Sequence, residues 1–132
     1  MSALNNLKPQ YSPRLLGLNG YFIEMVQLHE AKKFPRVLLL NGKKGIGKFT
    51  LTMHFINYIF SKNEPTAYNL KDNVININSP FYKSLLNKTT QDVIIIQAEE
   101  NKNIKIDNIR LLKSTLASSS LSNNSRFTII DE

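Results

Sequence analysis

The sequence predicts an α/β domain of three layers with a mainly parallel sheet. Two observations carry this. Short apolar runs at residues 37–40, 92–97 and 127–131 alternate with stretches of helical spacing. Strands separated in this way join through crossover connections and run parallel. The runs VLLL and VIII are continuous rather than alternating, as in strands covered on both faces. The second observation is residues 36–60, RVLLLNGKKGIGKFTLTMHFINYIF, which reads strand, glycine-rich loop, helix.

The elements follow in order. Residues 1–18 read as an irregular lead-in, because Pro9 and Pro13 oppose regular structure. Residues 19–132 then form the domain. A helix is expected from Asn19 to about Lys33, ended by Phe34-Pro35. Phe22, Met25, Val26 and His29 lie along one side of it. Residues 37–40 are the first strand. The helix from Lys48 to about Ser61 is apolar nearly all round and so should be buried on more than one side. His54 within it reads as a partly buried helix histidine rather than a catalyst. Residues 73–78 suggest a short strand, and Ser79-Pro80 a cap for a helix through residues 81–86. Residues 92–97 form the second strand, Asp107 opens another helix, and residues 127–131 form the third strand.

Composition narrows the function. With 132 residues the chain is one domain or part of one. It has no Cys, which excludes disulfides, thiolate zinc sites and a cysteine nucleophile. No apolar run approaches a membrane span, and the first ten residues lack the apolar core of a signal. A cytoplasmic protein without a membrane partner is the default expectation. The net charge of +7 suits a polyanion partner, nucleic acid included, although a solvated basic surface accounts for it equally.

The loop carries the chemistry. Gly42, Gly45 and Gly47 let the backbone curl so that N–H groups face phosphate oxygens. The following helix supplies the positive end of its dipole, and Lys48 a charge for the β and γ phosphates. The pattern G-x-x-x-x-G-K-[S/T] requires a hydroxyl directly after the lysine to hold Mg²⁺. Phe49 stands there, and the hydroxyl arrives one place later at Thr50, about 100° around the helix. The third strand ends in Asp131 and Glu132, a Walker B pattern. Asp131 would hold the metal shell, and Glu132 would act as the catalytic group that orients water.

These residues resemble a known family. PRVLLLNGKKGIGKFTL is similar to the phosphate loop of AAA+ clamp-loader subunits, and IKIDNIRLLKSTLASSSLSNNSRFTIIDE to their later helix and Walker B strand. The GIGK-x-T form is most similar to the delta-prime subunits of bacterial DNA polymerase III. The resemblance implies a P-loop NTPase fold of AAA+ type, here truncated after the Walker B strand. It implies ATP with Mg as cofactor and no zinc, the four-cysteine module of related subunits being absent. It assigns nucleotide binding to Gly42, Gly45, Ile46, Gly47, Lys48, Phe49 and Thr50, metal binding to Asp131 and catalysis to Glu132. Partners would be other clamp-loader subunits, the sliding clamp and primed DNA. Lys102, Lys105, Arg110 and Lys113 would touch the duplex. Phe49 argues for a weak or vestigial ATP site; the alternative is a stand-alone P-loop ATPase. In this topology a later strand separates the strand at 37–40 from that at 127–131. Both should therefore lack direct ladder bonds to one another, and the span alone should not make a stable monomer.

Overall fold

A computed structural model describes residues 11–97, 110 and 126–131. The elements run α1 (Asn19–Glu30), α2 (Lys48–Phe60), α3 (Pro80–Leu86), β1 (Val93–Gln97) and β2 (Phe127–Asp131). The chain divides into two compact units, Met1–Asn87 and Lys88–Glu132. Each is described by itself.

The first unit is helical and built around α2. Leu51, Met53, His54, Phe55, Ile56, Asn57 and Tyr58 are all buried, so the helix is enclosed on every side, as its composition predicts. Phe22 of α1 is fully buried and meets the rings of His54, Tyr58 and Tyr68. Edge-to-face geometry dominates, with interplanar angles of 85° and 89° to His54 and Tyr58. Phe60 stacks on Phe81 at 4.8 Å, which joins the end of α2 to the start of α3. At the surface Glu30 of α1 accepts hydrogen bonds from Tyr58 and Lys62.

Helix α1 stops three residues before the expected end. The Lys33 N–H reaches back to the Leu28 carbonyl and the Lys32 N–H to that of His29, with Lys32 at φ 57°. This is a Schellman turn, and it satisfies the last carbonyls before Phe34-Pro35 is reached. Helix α3 starts where Ser79-Pro80 predicts. The Ser79 hydroxyl accepts from the Tyr82 N–H at 3.3 Å, and Glu64 accepts from the Ser79 hydroxyl and the Phe81 N–H at 2.5 and 3.1 Å.

Two expected strands do not form. Residues 37–40 belong to no ladder among the described residues, and Val37 and Leu39 are 86% and 85% exposed. An apolar run becomes a strand only when neighbours take its N–H and C=O groups, and no described residue pairs with it in a ladder. Residues 73–78 likewise form only bridges. Val74 exchanges backbone hydrogen bonds with Asn69 at 3.0 and 3.2 Å, and Asn73 takes φ 54°. The flanking groups pair instead with the lead-in. The Leu15 N–H donates to the Asn73 carbonyl and the Ile75 N–H to that of Pro13.

The second unit contains a two-stranded parallel sheet in which Val93 faces Phe127 and Gln97 faces Asp131. The Phe127 N–H donates to the Asp92 carbonyl at 2.9 Å. Both strands occupy the expected positions, and the chain thus contains a small α/β fold with parallel pairing. The ladder partner of β2 is β1 rather than residues 37–40. Of the helix expected from Asp107, Arg110 is described, and it is helical. No helix among the described residues is long and apolar enough to cross a membrane.

Candidate phosphate-binding site

The loop between residues 40 and 48 has the conformation its glycines suggest. Gly45 and Gly47 adopt φ 85° and 105°, in the left-handed region that side chains with a Cβ avoid. Gly47 is the N-cap of α2, so no side chain caps the helix. Its carbonyl accepts from the Leu51 N–H at 2.9 Å and starts the helical ladder. A tight turn from the Ile46 N–H to the Lys43 carbonyl, 3.3 Å, folds the loop back on itself. The Lys48 ammonium then donates to the Gly42 carbonyl at 2.8 Å. Gly42, Gly45, Ile46, Gly47 and Lys48 are therefore gathered at the open start of α2. Gly42 to Ile46 are exposed, and Lys48, Phe49 and Thr50 are half-buried.

This arrangement suits phosphate. Uncapped first-turn N–H groups, the positive end of a helix dipole and a lysine converge there. It does not suit a metal ion held from position 49. The Phe49 ring sits edge-on to Tyr11, with centroids 5.4 Å apart, and brings no oxygen. Among the described residues no group of three or more His, Asp or Glu could hold a metal.

The acidic candidates lie in the second unit. Asp131 closes β2, is half-buried and accepts a 3.3 Å hydrogen bond from the Gln97 side chain of the facing strand. Arg110 is exposed on its helix. Glu132, Lys102, Lys105 and Lys113 lie outside the described residues.

Sequence reasoning missed the polar network around α2. His54 is completely buried. Its Nε2 lies 2.9 Å from the Ser12 carbonyl, which can only accept, so Nε2 carries the proton. Nδ1 is then bare and accepts from the Tyr68 hydroxyl at 2.6 Å. Burial pushes the His54 pKa down to about 4, against the smaller opposing effect of the Ser12 carbonyl. Burial also pushes the Tyr68 phenol up. The Tyr68 N–H donates to the Ser61 hydroxyl at 3.0 Å, which donates to the Asn57 carbonyl at 2.6 Å. The sequence signal for this was faint: a histidine and an asparagine on an otherwise apolar helix, with tyrosines beyond it.

The first unit thus carries a glycine loop that opens a buried helix, and the second a parallel strand pair whose β2 ends in Asp131. A family model described as DNA polymerase III, delta subunit, matches residues 19–132. The chain belongs to that family of clamp-loader-related DNA polymerase III subunits, and so to the machinery of DNA replication. Membership associates it with the clamp-loader complex. No curated protein and no solved structure matches the chain.

Proposed function

We propose that the chain is a delta-prime-like subunit of the clamp loader, with a P-loop fold of AAA+ type and a weak or vestigial ATP site. It works mainly through its neighbours in the ring, which open the sliding clamp and place it on primed DNA. The observation that supports this most is the loop at the start of α2, where Lys48 is present and Phe49 stands in the metal-ligand position. In this reading Gly42, Gly45, Gly47 and Lys48 cradle the phosphates through backbone N–H groups and the ammonium. Lys48 exchanges its Gly42 carbonyl for phosphate oxygens. Magnesium, when bound, would neutralise phosphate charge, and Asp131 is the residue that would hold it and Glu132 the one that would orient water. Without a hydroxyl at position 49, hydrolysis is slow or absent. Lys102, Lys105, Arg110 and Lys113 meet the phosphate backbone of the duplex.

Calorimetric titration of ATP with and without Mg²⁺ tests this reading. Weak binding that Mg²⁺ improves little is expected. A large gain from Mg²⁺, or steady turnover by the isolated chain, would favour a stand-alone P-loop ATPase instead.

A further inference from the structure

Residues 11–18 are fastened to the rest of the first unit, and come close to the start of α2 at Tyr11 and at Leu18. The His54 ring donates to the Ser12 carbonyl, and the Tyr82 hydroxyl to the Tyr11 carbonyl at 3.0 Å. Backbone bonds join Pro13 and Leu15 to residues 73–75. At one end the Tyr11 ring lies against Phe49, the residue directly after Lys48. At the other, a Leu18 methyl sits 3.3 Å from the point where a Cβ on Gly47 would stand. Gly47, where a Cβ would crowd Leu18, and Phe49, which meets Tyr11, flank Lys48. A change at the loop that shifts either must also shift the lead-in, since packed side chains resist small displacements.

We propose that Phe49 is a positioning residue which clasps Tyr11, so that seating of residues 11–18 and occupancy of the phosphate loop favour one another. The residue that would ligate a metal in a hydrolytic loop here joins the loop to the lead-in. The proposal rests on the reading of the loop as a phosphate site. Linkage is reciprocal. If the seated lead-in holds the start of α2 in its binding geometry, nucleotide must in turn hold the lead-in down. An aromatic pair of this kind corresponds to about threefold to tenfold in affinity.

Metal-free ADP, with pyrophosphate as a second probe, is titrated into the full chain and into Tyr11→Ala, Phe49→Leu, the double variant and Tyr11→Phe. Amide exchange of residues 11–18 is followed with and without ADP. The expected result is about threefold to tenfold weaker ADP binding for Tyr11→Ala and for Phe49→Leu, with no further loss in the double variant. Tyr11→Phe, which keeps the ring, binds as the unaltered chain does. ADP slows exchange at residues 11–18. Should Tyr11→Ala fail to fold, Phe49→Leu and the exchange measurement carry the test. Normal binding with unchanged exchange, or with unaltered affinity in the variants, overturns the clasp and leaves the phosphate site standing. Failure of both probes to bind the unaltered chain overturns the site and the clasp together.

Discussion

Acidification is expected to destabilise the first unit through His54. In the native protein the ring is buried and neutral, donating to Ser12 and accepting from Tyr68. Its pKa is lowered from 6.5 to about 4 by burial. The unfolded chain takes up a proton as pH falls through about 6.5, and the native ring does so only near 4. Above about 6.5 both are neutral and the stabilising difference is fully present. Between these values the unfolded state binds more protons, so stability falls as pH falls. The full difference amounts to about 3 kcal/mol, of which about 2 kcal/mol is lost by pH 5. That is a large share of the stability of an ordinary domain. Urea unfolding between about pH 7 and pH 5 measures it, compared with His54→Gln, in which this part of the pH dependence disappears. Should that variant not fold, an NMR titration of the native His54 ring reports the same quantity directly. A native midpoint near 6.5 would refute the argument, because it would mean that the ring protonates without a burial penalty.

Other substitutions probe the loop, the packing and the DNA face. Phe49→Thr should introduce Mg²⁺ dependence into ATP binding if Asp131 can share the ion, read by titration with and without metal. Phe22→Ala should cost about 3–5 kcal/mol in urea unfolding, since the ring is fully buried against His54, Tyr58 and Tyr68. Lys32→Gly should stabilise by about 1 kcal/mol, because Lys32 holds the left-handed position of the α1 turn at φ 57°. An unchanged or lower melting temperature would speak against strain there. Charge reversal at Arg110 and Lys113 should slow clamp loading by the full assembly; unchanged loading would remove those residues from the DNA face.

Much of the fold was legible in local pattern. Helical spacing located α1 and α2, and Ser79-Pro80 the start of α3, because a cap and an apolar stripe are properties of a few consecutive residues. The apolar runs at 93–97 and 127–131 became the paired strands β1 and β2. Gly45 and Gly47 marked the turns of the loop before α2, since positive φ favours glycine whatever surrounds it. The run at 37–40 shows the limit of this. Its composition matches that of β1, yet no described neighbour pairs with it and it stays exposed. Tertiary structure also decided the fate of polar groups. Nothing near His54 in sequence shows that a carbonyl 42 residues earlier and a phenol 14 residues later would complete its hydrogen bonds. Nor does anything near Phe49 show that Tyr11 would meet its ring. Sequence determines conformations whose cost is local: a cap, a positive φ, an apolar face. Ladders and buried polar networks need partners from distant parts of the chain, and packing alone brings those together.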